Sequence, residues 1–307
     1  MRLDIRYVSS FEYDSIVVES QNDLRACPIS DEFQEVIGYR VTVTPTAKIS
    51  SFIDYWGTRV DSFGHRSPHR SLHVVAQSTV ETRSRPLPTG ACRSELLRDP
   101  SFLDAHAEYL GRTPHCDWGD QIAELARMQL DVAGPDVVSQ VLALQRVVGS
   151  RLEYRHGVTK IGIDVDEVLS SGVGVCQDYA HLAVALCRSV GIPARYVSGY
   201  LFTADETSLD AELPEDDEPV RVQTHAWFEA AIPRWGWFAL DPTNQSPVGE
   251  RHVKIGHGRD YDDVRPLCGV YSGAAQGVVT PDVEIRRRSS VAAAPASEQQ
   301  ARAAAQQ

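Results

Sequence analysis

The sequence predicts an α+β protein in which an N-terminal antiparallel β-sandwich precedes a region of helices packed on a second sheet. Apolar and polar residues alternate through residues 1 to about 82, as on strands with one buried face. From residue 118 to 190 the apolar residues instead recur at helical spacing, and strand-like runs return after Pro193. We therefore expect a β domain at 1–85, an α+β core at 91–285 and a disordered tail at 286–307.

The N-terminal alternation falls into several short runs separated by turn residues such as Pro45, Gly57 and Pro68. The runs are Leu3, Ile5 and Tyr7; Phe11 and Tyr13; Tyr39, Val41 and Val43; and Leu72, Val74, Ala76 and Val80. This pattern is typical of an antiparallel sandwich. Its aromatic residues are expected in the core rather than at a ligand site: Phe11, Tyr13, Tyr55, Trp56 and Phe63. The Pro-containing stretch 83–90 is interpreted as a linker.

The helical part has clear start and stop signals. Gly134-Pro135 ends one amphipathic stripe, and Asp136 begins the next, which runs to about Val148. A brief helix over 164–171 ends at Gly172. Strands are then predicted at 194–201, 222–231, 237–240, 252–255 and 277–285. The residues from Arg286 onward lack apolar bulk, which predicts the disordered tail.

Composition excludes several classes of function. The 307 residues are 42% hydrophobic and 23% charged, with a net charge of -12, which disfavours non-specific nucleic-acid binding. The N-terminus lacks a signal-peptide core and no later stretch could span a bilayer, so we expect a cytoplasmic protein without membrane contact. The six cysteines include no C-x-x-C pair, so neither a zinc knuckle nor a disulfide scaffold is indicated.

Acidic residues are concentrated in segment 205–218, which contains no basic residue. The segment is predicted to be a mobile surface loop. It could be a solvated insertion, or a lid or filter for basic substrates.

Cys176 is the candidate nucleophile because it lies where a glycine turn becomes a helix. Gly172 and Gly174 precede it, and Ala180, Ala183 and Cys187 follow at helical spacing. Unpaired backbone N–H groups and the helix dipole at that end favour thiolate over thiol. The alternative is a small buried core cysteine, which is the usual role of an arbitrary cysteine.

Two later residues could complete a catalytic triad. His225 lies on a predicted strand and shares a face with Trp227 and Glu229. Asp241 ends the next strand, Trp237 to Leu240, where its carboxylate could accept a hydrogen bond from the Nδ1–H of His225. Taken alone, each could be structural: a strand histidine or an Asp-Pro turn starter.

Other site residues are less clearly marked. The backbone N–H of Cys176 is the first candidate oxyanion donor, with Gln177 and Tyr154 as candidates for the second. Trp227 and Tyr179 are candidates for the substrate pocket. Asp178 suits the helix dipole, but its charge opposes a nearby thiolate, so we expect it to point away from the sulfur.

At these residues the sequence resembles bacterial transglutaminase-like proteins. The resemblance rests on the run from Gly174 through Cys176 to Leu182, on 191–200, on Thr224 to Trp227, on Leu240 to Asn244, and on Gly258 to Val264. A softer N-terminal match involves Leu24, Arg25, Pro28 and Pro45.

The resemblance implies a papain-like α+β core with Cys176 as nucleophile, His225 as general base and acid, and Asp241 as orienting carboxylate. It implies acyl-thioester chemistry on a peptide or protein amide, for which no cofactor is needed. The resemblance does not decide between hydrolysis and amine transfer; we slightly favour hydrolysis because water is the default acceptor. The alternatives are a non-catalytic peptide-binding module of the same fold and an acyltransferase similar to arylamine N-acetyltransferases. A metal site from His225, His181 and Cys176 is disfavoured because short ligand spacing is lacking.

Overall fold

The computed structural model describes residues 1–155, 162–204, 209, 212–273 and 276–289. The strands are β1 (Arg2–Val17), β2 (Glu19–Leu24), β3 (Gln34–Thr44), β4 (Ile49–Ile53), β5 (Arg59–His65), β6 (His69–Thr82), β7 (Glu153–Tyr154), β8 (Val173–Gly174), β9 (Ala194–Leu201), β10 (Pro219–Val222), β11 (Thr224–Ile232), β12 (Gly236–Asp241), β13 (Ser246–Pro247), β14 (His252–Gly258), β15 (Leu267–Ser272) and β16 (Gly277–Arg287). The α-helices are α1 (Pro100–Ala105), α2 (Asp120–Ala133), α3 (Val137–Arg151), α4 (Val165–Ser171) and α5 (Cys176–Ser189). Short 3₁₀ helices cover Ser94–Arg98, Ala107–Tyr109 and Tyr261–Val264.

Two antiparallel sheets form the predicted β-sandwich. Their strand orders are β10-β16-β1-β6-β3 and β15-β2-β5-β4. Alternate side chains of both sheets, including Leu3, Ile5, Leu24 and Phe63, are buried in one apolar cluster between them. The predicted α+β class with an N-terminal sandwich is confirmed.

The sandwich is completed by strands from the far end of the chain. β16 pairs with β1 along its length, from Leu3 opposite Arg287 to Tyr13 opposite Gly277. β15 pairs with β2, and β10 pairs with β16. The strand at 277–285 was expected in the catalytic core, and this placement was wrong. Val283 and Ile285 alternate into the sandwich core, and strand pairing depends on matching apolar faces rather than on closeness in sequence.

The basic residues at the end of β16 are ordered by contacts within the chain. Arg286 and Arg287 belong to the strand, so the predicted disordered tail does not begin at 286; residues 290–307 lie outside the described residues. Arg287 donates to the carbonyl of Pro214 at 3.0 Å, and Arg288 donates to Asp217 at 3.2 Å. The described end of the acidic segment therefore lies against these arginines, while 205–208, 210 and 211 lie outside the described residues.

Helices α2 to α5 pack on one face of the sheet β13-β12-β11-β9-β14. Asp136 and Asp164 cap α3 and α4, each accepting a backbone N–H of the first turn. Gly172 ends α4 with φ 68°, a conformation that favours glycine. α5 lies at the centre, with every residue from Asp178 to Arg188 buried. Among the described residues, no helix is long and apolar enough to cross a membrane.

Candidate active site

Cys176 is the first residue of α5, as the glycine turn predicts. β8 pairs in parallel with β7 just before it and fixes the approach of the chain to the helix. Asp178 turns back to accept the N–H of Val175 at 2.8 Å. Gly174 is needed here because an added Cβ would lie 2.9 Å from that of Asp178. The Cys176 side chain is half-buried, and its Sγ lies 3.8 Å from the carbonyl oxygen of Thr224.

His225 follows Thr224 on β11, so the strand brings its imidazole beside the sulfur. His225 Nε2 lies 2.8 Å from Asp241 Oδ2. This corrects the ring nitrogen expected from the sequence, where Nδ1–H was to face the carboxylate. Nδ1 is consequently the nitrogen left for Cys176. The atom could not be chosen from sequence because it depends on the direction from which the strand presents the ring.

Asp241 is fully buried and receives five hydrogen bonds. Oδ1 accepts the backbone N–H groups of Thr243 and Asn244 at 2.9 and 3.1 Å. Oδ2 accepts His225, His252 and the Asn244 amide at 2.8, 3.1 and 2.7 Å. Burial would raise the pKa of Asp241, but the interactions with the two histidines outweigh it and hold that pKa well below its usual range.

The charge on Asp241 determines the charge on His225. Burial disfavours the imidazolium, but the carboxylate of Asp241, with a smaller contribution from Cys176, outweighs burial and raises the pKa of His225 to about 10. The pair can therefore hold a proton close to the sulfur at neutral pH.

Sequence reasoning missed His252 and Asn244 as partners of Asp241. His252 Nδ1 accepts the N–H of Gly249 at 3.2 Å, so Nε2 carries the proton that faces Asp241. Burial lowers the pKa of His252, in agreement with a neutral ring. Asn244 stands in the Asp-Pro-Thr-Asn run that was singled out, and the preference of such turns for side-chain hydrogen bonds could have indicated it. His252 carries no such signal.

Trp227 does not line the substrate cavity, contrary to the sequence prediction. It does share a face of β11 with His225, their ring centroids being 6.2 Å apart, but its side chain is fully buried. Beyond it on the same face, Glu229 forms a buried ion pair with Lys254 at 2.7 Å. The alternation of residues along β11 therefore identified which side chains share a face of the strand, but not that Trp227 and Glu229 on that face are buried.

Tyr179 also lies in the core rather than in the pocket. Its hydroxyl donates to the carbonyl of Leu152 at 2.7 Å, which holds α5 against the end of α3. Of the two oxyanion candidates, Gln177 lines the cavity beside Cys176. Tyr154 packs against the helical core, its ring 6.1 Å from that of Tyr179. The oxyanion assignment stays a prediction.

A cavity of about 570 Å³ opens at Cys176 and His225. Its size falls in the range of small-molecule and cofactor sites. The sandwich supplies much of the wall, so the cavity lies between the two parts of the chain. Six aromatic side chains, from both the sandwich and the core, line the cavity: Tyr7, Phe11, Tyr13, Tyr196, Tyr261 and Tyr271.

The structure groups potential metal ligands differently from the sequence. His225, Asp241 and His252 lie close enough together to share an ion. However, the proton on His252 Nε2 points at Asp241, and three donors already occupy Oδ2. His181, a ligand candidate from the sequence, instead stacks on Tyr196 and accepts the N–H of Tyr261 at 3.2 Å. Because the nitrogen and oxygen atoms of these residues already take part in hydrogen bonds, the residues fit a proton network better than a metal site.

Comparison with known proteins agrees with this architecture. The profile of the transglutaminase-like superfamily matches residues 124–242, and that of the bacterial transglutaminase-like N-terminal region matches residues 3–81. An uncharacterized protein of Mycobacterium leprae is 34% identical over 93% of this chain and 99% of its own length. A protein-glutamine gamma-glutamyltransferase of Pseudomonas aeruginosa is 34% identical over 27% of this chain and 12% of its own length.

A solved structure has the same fold over nearly the whole chain. It is a candidate cysteine protease from Cytophaga hutchinsonii, with a TM-score of 0.69 and 23% identity, covering 92% of this chain and 90% of the other. The fold and the two matching profiles support membership of a family of cysteine-dependent enzymes. The chain belongs to the transglutaminase-like superfamily, with the bacterial N-terminal region preceding the core.

Proposed function

We propose that the protein is a cysteine-dependent acyl-transfer enzyme that attacks amide or peptide bonds through Cys176, His225 and Asp241. One observation carries the proposal. The thiol of Cys176, half-buried at the start of α5, lies 3.8 Å from the carbonyl oxygen of Thr224, the residue before His225. The ring of His225 is held 2.8 Å from the buried carboxylate of Asp241. This is the combination of nucleophile, proton carrier and orienting group that covalent acyl transfer needs.

The reaction would proceed in two halves. Sγ of Cys176 attacks the amide carbonyl, and His225 gives a proton to the leaving amine as the C–N bond breaks. The acyl group remains as a thioester. Water or a primary amine then attacks it, His225 takes the incoming proton, and the C–S bond breaks. The backbone N–H of Cys176, with Gln177 or Tyr154, would stabilise the oxyanion in both halves.

In this proposal water, rather than an amine, attacks the thioester in the second half of the reaction. The cavity is lined by Tyr271, which is 43% exposed, so water can reach it. Water that enters the cavity competes with any amine for the thioester. The substrate would be a peptide or protein amide.

The test follows turnover of N-acetyl amino-acid and short peptide anilides by the full chain, with and without added methylamine. Wild type should release aniline, and Cys176→Ala should lose at least about 10³-fold in turnover, as when other nucleophiles are removed. Cys268→Ala, changed at an exposed cysteine, is the matched control and should keep wild-type turnover. Free acid as the product indicates hydrolysis, and a methylamide indicates transfer. Equal turnover by Cys176→Ala and wild type would contradict the proposal.

A further inference from the structure

The cavity wall contributed by β1 is a regular stripe. Tyr7, Ser9, Phe11 and Tyr13 lie at every second position, so their side chains share one face of the strand, and all four line the cavity. Nearer the start of β1, the same face buries Leu3 and Ile5 in the sandwich core. From Tyr7 to Tyr13 the stripe is about 20 Å long at the rise of a β-strand. Tyr7 and Tyr13 belong to the same buried cluster, so the sandwich core continues along this face up to the active-site cavity and forms one side of it.

The lining carries almost no charge. None of the lining residues among the described part of the chain is Asp, Glu, Lys or Arg, although these types make up 23% of the sequence. The charge that His225 can carry is balanced by Asp241. A carboxylate or ammonium group entering this space would lose hydration without gaining an Asp, Glu, Lys or Arg side chain of opposite charge, which costs more than burying a neutral group.

The aromatic rings are arranged to accept another apolar group. Phe11 and Tyr13 are nearly parallel, with centroids 6.2 Å apart and planes at 15°. Tyr271, on β15, meets Tyr13 edge-on at 5.3 Å. Phe11 is half-buried and Tyr271 is partly exposed, so neither of these two lining side chains is fully covered by the protein. Aromatic rings prefer such offset or edge contacts with one another and bury large apolar areas, so an aromatic or apolar group of a substrate could make the same contacts with these rings.

We propose that the N-terminal sheet is the specificity wall of the enzyme and that it selects an acyl donor bearing an uncharged aromatic or apolar side chain. The stripe from Tyr7 to Tyr13, with Tyr271 opposite, would hold that side chain while the carbonyl lies at Cys176. This inference rests on the proposed function, because it names the substrate class of the same site.

The first test labels the intact protein with N-acetyl-phenylalanyl, N-acetyl-glutamyl and N-acetyl-lysyl chloromethyl ketones. The sulfur of Cys176 attacks the methylene carbon, chloride leaves, and a thioether forms that intact mass and peptide mapping locate. Each rate is divided by the rate for iodoacetamide, which carries no side chain to select. The phenylalanyl reagent should label Cys176 at least about tenfold faster than either charged reagent on this normalised scale. Equal normalised rates would overturn the inference.

The wall is tested with Phe11→Glu and with Phe11→Ala, which removes the ring without adding charge. Both should lower the normalised phenylalanyl rate by about tenfold or more, and Phe11→Glu should raise the lysyl rate. Phe52→Glu places the same charge at a phenylalanine on β4 that is 50% exposed and outside the cavity, and it should leave all three rates unchanged. Selectivity unaffected by either Phe11 variant would overturn the assignment of the wall.

A binding measurement separates this inference from the catalytic proposal. Cys176→Ala protein is titrated with N-acetyl-phenylalanine amide, N-acetyl-glutamate amide and N-acetyl-lysine amide in ligand-observed NMR. Preferential binding of the phenylalanine amide supports the wall even if Cys176 proves unreactive, whereas equal or charge-favouring binding contradicts it. A reactive Cys176 without side-chain preference would leave the proposed function standing and overturn only the specificity.

Discussion

Asp241 determines how His225 is oriented and charged. Five donors surround a fully buried carboxylate, so the group stays ionised without access to water. His225 is bound by Nε2, and the opposite nitrogen is left for the sulfur. At the residue scale, the site is therefore a chain of hydrogen bonds that runs from His252 through Asp241 to His225.

The variant His225→Gln should show over which pH range the ion pair between His225 and Asp241 stabilises the fold. The folded-state pKa of His225, about 10, lies above the value of about 6.5 expected in the unfolded chain. The stabilisation is therefore fully present below pH ~6.5 and is lost as the pH rises through about 10. Wild type should exceed His225→Gln by about 3 kcal/mol in free energy of unfolding at pH 6, with the difference shrinking towards pH 10.

Urea denaturation at pH 6, 8 and 10 measures this difference. His73→Gln, which changes an exposed histidine of β6, is the matched control for loss of a histidine. A difference between wild type and His225→Gln that is the same at all three pH values would show that His225 is not held as a cation by Asp241.

The residues that could be predicted from sequence are those whose local context is distinctive. Cys176 follows a glycine turn at a helix start, and Asp241 ends an aromatic strand. His252 could not be predicted because its role arises only after β14 pairs with β9 and brings distant strands together. Trp227 was placed on the correct face, but periodicity does not reveal whether that face borders a cavity or a core.

At the scale of the element, Gly199 on β9 leaves space for the neighbouring strand and for Trp227 to pack closely beside the site. It pairs with His225 across β9 and β11. An added Cβ would lie 2.2 Å from the carbonyl oxygen of Val253 and 2.5 Å from the ring of Trp227. Trp227 in turn packs edge-on against His252 at 5.4 Å. Because Gly199 has no side chain, the ring of Trp227 can lie close to β9, where it packs against His252.

Gly199→Ala should destabilise the protein by at least about 1–3 kcal/mol, since both neighbours would have to move. It should also reduce turnover more than stability alone explains, because Trp227 and the histidines shift together. Thermal unfolding and anilide turnover measured well below the midpoint check both effects. Gly38→Ala is the matched strand control, because an added Cβ there meets nothing within 4 Å. Equal midpoints for the two variants would contradict this role of Gly199.

The element boundaries around α3, α4, α5 and β9 follow from caps, glycines and apolar spacing, and the sequence predicted them closely. β15 and β2 were not predicted. Both are short, and the alternation of apolar and polar residues that marks a strand is weak in Glu19–Leu24 and Leu267–Ser272. They are strands because they pair with each other and, through β2, with β5.

At the scale of the whole molecule, strands from both ends of the described chain lie in one sheet. β1 lies between β6 and β16, so the late strand closes the sandwich that the first strand opens. The predicted boundary between segments 1–85 and 91–285 stays a prediction, although β15 and β16 of the second segment belong to the sandwich sheets. The sheet partners of β16 could not be predicted from sequence, because an alternating run fits any sheet with an exposed edge.

A chain that ends at residue 276 should lose the folded sandwich. It lacks β16, which leaves one edge of β1 unpaired and removes Val283 and Ile285 from the core, each contributing about 1.5–3 kcal/mol. A chain that ends at residue 289 keeps β16 and is the control. Circular dichroism and thermal midpoints compare the two, and a fully cooperative, equally stable shorter chain would contradict the closure of the sandwich by β16.

The most direct measurement of the proposed chemistry at Cys176 is acid-quench trapping of the acyl group. The full chain is mixed with a neutral N-acetyl-phenylalanine ester, quenched within the first turnover and mapped by mass spectrometry. We expect an added N-acetyl-phenylalanyl mass on the peptide that contains Cys176, labile to hydroxylamine as a thioester is, and no adduct in Cys176→Ala. Turnover with the acyl group on another residue, or an undiminished adduct in Cys176→Ala, would contradict a thioester at Cys176.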